Sequence, residues 1–295
     1  MARRITLLVL ALTLALLAAC GGGTAGDDGP SLYVDVAHGS DENDGSEGKP
    51  FKTIQAALDV VTPGTTIRLA EGKYRERIET KVDGDSDAPI TIKGPEEGKD
   101  RGGRYRAVVT DKSRVVNIDH DYYVLDGFTV DGQPGLAADD YPTKLKQTDA
   151  AKRSLQDRVT NSRLIYLGSA DDTSDVTGVT IRNMFLNGSG GECVRLRNKA
   201  HDNTITDSVI QYCGMAGSDG GFHNGEGVYI GTSPKSEDQP MPGSDEGHDN
   251  TISNNVIRTF GTECLDVKEA AHDNVFENNQ CSDNAETTDD GGSLV

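Results

Sequence analysis

The chain has 295 residues, a formal net charge of −19, 35 glycines, no tryptophan and only 5% aromatic residues. Binding nucleic acid needs clustered Lys and Arg that release counterions from phosphate, so this acidity argues against nucleic acid as a partner. Length and composition together suit one continuous core of Val, Ile and Leu in a glycine-rich, coil-rich chain.

Arg3 and Arg4 precede the apolar run ITLLVLALTLALLA, and LAAC ends at Cys20. This pattern predicts a lipoprotein signal peptide over residues 1–20, cut before a lipid-modified Cys20. The apolar run is shorter than the ~20 residues of a spanning helix, so contact with a membrane is expected through the lipid anchor only. The protein is accordingly expected to be exported and held at the cell envelope or cell surface, with residues 21–30 as a flexible tether. Export leaves Cys193, Cys213, Cys264 and Cys281 in an oxidising compartment. No pairing is assigned, and buried thiols remain an equal reading.

Residues 31–110 form the N-terminal cap and first coils. In PFKTIQAALDVV, Phe51, Ile54, Leu58 and Val61 share one helical face after Pro50, which predicts an amphipathic helix closing the end of the fold. The acidic loop SDENDGSEG at 40–48 reads as a turn, since it lacks the terminal glutamate of a calcium-binding loop.

Repeats organise residues 111–295. ECVRLRNKAHDNTITDSVI from Glu192, EGVYIGT and GHDNTISNNVI from Glu226, and ECLDVKEAAHDNVFENNQC from Glu263 overlay on one another. Ile181, Ile205, Ile252 and Phe276 hold one place in the pattern, at steps of 205−181 = 24, 252−205 = 47 and 276−252 = 24. The long step is one coil plus an insertion or a second coil, and the surplus falls in SPKSEDQPMPGSDEG, which reads as a surface loop. Short β-rich runs separated by Gly, Asn and Asp, repeating at this length, predict an all-β fold: a right-handed parallel β-helix, a single-stranded solenoid with an N-terminal capping helix. Asn203, Asn250 and Asn274 then stack at one turn, as do His201, His248 and His272. The chain's end, GGSLV, stops where a new strand is due, so a truncated C-terminus is part of the expectation.

Alternation along the strand that opens each repeat puts Leu265 and Val267 inward, and Cys264, Asp266 and Lys268 outward. Stacking builds an outer file of Tyr166, Arg195, Tyr229 and Asp266 beside a second of Gly168, Arg197, Gly231 and Lys268. Gly231 is expected to leave a notch between Arg197 and Lys268. Glu192, Glu226 and Glu263 recur at one register and read as a turn contact ahead of a cation-binding ladder.

The segment LYVDVAHGSDENDGSEGKPFKTIQAALDVVTPGTTIRLAEGKYRERI, residues 32–78, resembles the opening segment of exported pectate-lyase-like β-helix proteins, and the later coils resemble the same superfamily. The resemblance implies a carbohydrate-active protein, with a polysaccharide as substrate or ligand. In the family nine pectate lyases it resembles, a lysine base works beside calcium held by aspartates. Carried onto this chain, Lys268 becomes the catalytic base of a β-elimination. Arg195, Arg197, Tyr229 and Tyr166 become the substrate-binding residues, and Asp266, Glu263 and Glu269 the candidate calcium ligands. Neighbouring cations are expected to lower the Lys268 pKa toward neutrality. The tight aspartate cluster of those lyases is missing, Asp289 and Asp290 being the nearest match. The alternative class is therefore a non-catalytic glycan-binding or envelope-structural β-helix. A glycoside hydrolase would need a carboxylate pair such as Asp266 with Asp289 or Asp290.

Overall fold

The computed structural model describes residues 29–95, 97–99, 103–137, 140–141, 157–168, 175–216, 225–259 and 263–282. Cys20 with its leader, and Asp289 and Asp290, lie outside the described residues.

Strands of two to five residues are too short to bury a face alone, and they gain one by pairing with the equivalent strand a coil away. Among the described residues three sheets result, of eight, six and seven strands, in which every strand pairing is parallel. This is a parallel β-helix, and crossovers between parallel strands are right-handed. In the eight-stranded sheet, Leu32, Ile67, Ile92, Leu125, Ile181, Ile205, Ile252 and Phe276 form one file in register. The file belongs to a single core, in which only its end members Leu32 and Phe276 are partly buried. Strand Thr204–Thr206 pairs directly with Thr251–Ser253, so the long step in the sequence is one coil carrying an insertion.

The HDN motif has a physical reading at the turn. Asp202, Asp249 and Asp273 adopt left-handed backbone at φ 53°, 52° and 53°, a conformation Asp tolerates better than most residues. The following asparagines point inward as a ladder: Asn203 Nδ2 donates to Asn250 Oδ1 at 3.0 Å, and Asn250 Nδ2 to Asn274 Oδ1 at 2.9 Å. The preceding histidines stack outside, with ring centroids 4.9 and 5.3 Å apart. Each Nδ1 is hydrogen-bonded to the neighbouring aspartate. A second ladder of Asn255 and Asn279 runs beside the first, with Asn255 Nδ2 donating to Asn279 Oδ1 at 3.0 Å; the sequence reading did not anticipate it.

The helix near the N-terminus spans Ile54–Leu58 only, shorter than the Phe51–Val61 pattern. The β-branched pair Val60 and Val61 and the approach to Pro63 disfavour further turns. Thr53 caps it by accepting from Ala56 N, and Glu76 accepts from Ile54 N and Gln55 N at 3.0 Å each. Ile54, Ala57 and Leu58 are buried, and the helix packs on strands Ser31–Val34, Thr66–Leu69 and Ile78–Glu79.

Two disulfides form, Cys193 to Cys213 and Cys264 to Cys281. Both Cys193 and Cys264 belong to the core cluster, which corrects the outward placement of Cys264. The alternation begins only at Val194 and Leu265, where the strands start; the residue before sits in the turn and points inward.

Candidate functional site

The six-stranded sheet carries the outer files. Asn117, Tyr166, Arg195, Tyr229 and Asp266 are Cα partners rung by rung on strands Arg114–Ile118, Arg163–Leu167, Val194–Leu196, Val228–Ile230 and Leu265–Val267. Aromatic rings and cations alternate along this wall. Arg195 lies over the rings of Tyr166 and Tyr229, with its guanidinium carbon 5.8 and 4.9 Å from their centroids. Arg114 covers Tyr166 at 3.9 Å. Arg197 at 5.3 Å and the Lys268 ammonium at 4.9 Å also lie over Tyr229. Within this file the rings of Tyr166 and Tyr229 flank Arg195 on both rungs, although Arg163 and Arg114 are themselves Cα partners at the strand openings. Burial holds the Tyr229 phenol neutral, pushing it up to about 12 against the opposing pull of Lys268 and Arg195.

Arg197 is only 2% exposed. One terminal nitrogen donates to Thr232 Oγ1 at 2.7 Å, while Nε and the other terminal nitrogen have no partner. The insertion positions this group. Thr232 donates to Asp245 Oδ2 at 2.9 Å, and Asp245, itself buried, accepts from the backbone N–H of Asn198 and Lys199 at 2.9 and 2.6 Å. The presumed surface loop thus sends a carboxylate back under the wall. Sequence reasoning missed Asp245 and Thr232, because the loop's composition signals only a turn.

Lys268 forms an ion pair with Asp266. Burial pulls its pKa down, yet the hydrogen bond and charge of Asp266 outweigh that, so Lys268 binds its proton more firmly than a free lysine. The expected shift toward neutrality is corrected: the cations of this wall are offset by a nearer carboxylate. The expected notch at Gly231 is also corrected. A Cβ there would meet Lys268 Cβ at 3.2 Å and Ala271 Cβ at 3.5 Å, so the Lys268 stem fills the space.

The three glutamates differ. Glu192 accepts from Arg163 Nε at 2.7 Å and lies 3.6 Å from Arg195 Nε. Glu226, one rung on, is 6% exposed and its Oε2 has no partner. Burial first, and then the charges of Glu192, Asp266 and Glu263, raise its pKa to about 7. Glu263 is half-buried and Glu269 exposed. As a calcium set, Asp266, Glu263 and Glu269 fit poorly: Asp266 is engaged by Lys268. Among the described residues no three His, Cys, Asp or Glu side chains gather around a common point.

Residues 37–115 match the family model described as "Protein of unknown function (DUF1565)". A 73-residue stretch is 37% identical to "Uncharacterized protein YwoF" of Bacillus subtilis (strain 168), covering 24% of this chain and 16% of that protein. The match therefore spans a small part of the curated relative. Among solved structures, the alginate lyase from Paenibacillus sp. str. FPU-7 superposes with a TM-score of 0.60 at 18% identity, over 90% of this chain and 70% of that one. Pectate lyase Pel9A gives 0.44 at 18% identity, over 78% and 54%. The fold, a right-handed parallel β-helix, is the one this chain shares with that alginate lyase.

Proposed function

We propose that this is a carbohydrate-active β-helix protein that cleaves a polyuronate by β-elimination on the face around Arg195, Arg197, Tyr229 and Lys268. The observation that carries the reading is Arg197: a guanidinium this deeply buried with two unpartnered nitrogens costs several kcal/mol unless an anion meets it. A uronate carboxylate supplies that anion. The fold shared with an alginate lyase agrees with the class. Within this reading Lys268 acts as an ammonium at the reacting sugar, since its pairing with Asp266 makes it a proton donor ahead of an acceptor. The two disulfides fit an oxidising compartment, in keeping with export and a lipid anchor at Cys20.

The test is a panel of polygalacturonate, polymannuronate and polyguluronate, with calcium or chelator, followed by ultraviolet absorbance of unsaturated product. Arg197→Ala should raise KM by about tenfold or more, the loss expected for a charged hydrogen bond of ~1.5–3 kcal/mol. Lys268→Ala should lower kcat. Wild-type protein that releases no unsaturated product from any of the three rejects the lyase reading. The low exposure of Tyr166 and Tyr229 favours the second reading, a non-catalytic glycan-binding or envelope-structural β-helix. Retention of the same glycans on an affinity gel without cleavage would select it.

A further inference from the structure

On this wall two of the carboxylates are held by cations: Glu192 by Arg163, and Asp266 by Lys268. Glu226 is different. It sits one rung from Glu192 and one from Glu263, three residues before Tyr229, with an enclosed oxygen that meets no donor. A structural glutamate at a strand opening ordinarily spends both oxygens on backbone or cation, as Glu76 does on Ile54 N and Gln55 N. A buried carboxyl with one oxygen left without a donor, on the same sheet as Arg197 with its two unpartnered guanidinium nitrogens, is arranged for a group that arrives from outside.

Resting on the lyase reading, we propose that Glu226 is the catalytic base of this face. Its carboxylate takes the proton on the carbon next to the uronate carboxylate, which Arg197 holds. The electron pair of that C–H bond becomes the new carbon–carbon double bond, and the bond to the glycosidic oxygen breaks. The Lys268 ammonium gives its proton to the departing oxygen and recovers one from solvent, while Glu226 returns its own to solvent. No oxidant or further reactant enters. The groups facing Glu226 electrostatically are Glu192, Glu263 and Asp266, and Lys268 in turn responds to Glu226. A base that titrates near neutrality accepts a proton and sheds it again without a large penalty in either direction.

The experiment is a kcat–pH profile of the full chain on the best polyuronate of the panel, for wild type, Glu226→Gln and Glu226→Asp, with a melting scan on each. Wild type should show an acidic limb near the Glu226 titration at about 7. Glu226→Gln should lower kcat by about 10²-fold or more, leave KM nearly unchanged, and abolish the limb while melting as a folded protein. Glu226→Asp should recover part of kcat and keep the limb. A Glu226→Gln variant with wild-type kcat overturns the assignment and leaves the lyase reading intact. Should that variant not fold, a Glu226→Asp variant with wild-type kcat overturns it equally. Absence of product from wild type on every polyuronate overturns both.

Discussion

Single residues carry the polar interior. Asn250 is fully buried and donates to Ala200 O and Asn274 Oδ1, both at 2.9 Å, while its own oxygen accepts from Asn203 N and Nδ2 at 3.2 and 3.0 Å. Asn250→Ala strands partners on both neighbouring coils. At ~1–3 kcal/mol per orphaned group, the loss should exceed 2 kcal/mol in a denaturant titration, more than for Asn274→Ala at the half-exposed end. Glu226 predicts a pH effect of definite sign. Its folded pKa of about 7 lies above the ordinary glutamate value of 4.5, so between those values the folded state holds the proton and the unfolded state releases it. Stability therefore falls as pH rises through this window, by on the order of 3 kcal/mol, and is highest below it. Glu226→Gln should flatten that slope between pH 5 and 7, which thermal melts at a series of pH values would reveal. An unchanged slope would place the titrating group elsewhere.

Elements are held by what closes their coils. Cys193 and Cys213 are 20 residues apart and Cys264 and Cys281 17 apart, spans for which cross-linking stabilises by ~3 kcal/mol in the chain-entropy account. The two bridges differ in what surrounds them. Cys193 and Cys213 lie within the solenoid, whereas Cys264 and Cys281 tie the last described coil, where Val275 is 48% exposed. Serine replacement of Cys264 and Cys281 should speed amide hydrogen exchange selectively across 263–282. Replacement of Cys193 and Cys213 should lower the melting temperature of the whole protein. Hydrophobic spacing made the strands legible: the file through Ile181, Ile205, Ile252 and Phe276 could be read from intervals alone. The N-terminal helix was legible as an apolar face yet not in length, because its end depends on where the chain must turn toward strand Thr66–Leu69.

At the scale of the whole molecule, a chain of net charge −19 repels itself in any compact form, and added salt screens that repulsion. Raising ionic strength from 0.01 to about 0.15 M should therefore raise the melting temperature. A solenoid suits this burden, since each coil touches only its neighbours and carboxylates spread along an extended surface. The architecture, the asparagine ladder, the stacked histidines and the outer file of Tyr166, Arg195, Tyr229 and Asp266 were all determined by the sequence itself. Each follows from identical spacing in successive repeats, and a repeat converts distance along the chain into a vertical step of fixed size. What only the tertiary structure decided is where protons and charges rest: Lys268 tied to Asp266, Asp245 folded back beneath Arg197, the cysteine pairs across each coil, and Glu226 enclosed with one oxygen that meets no donor. Those depend on burial and on which side chain reaches which within a few ångströms, and neither is a property of spacing.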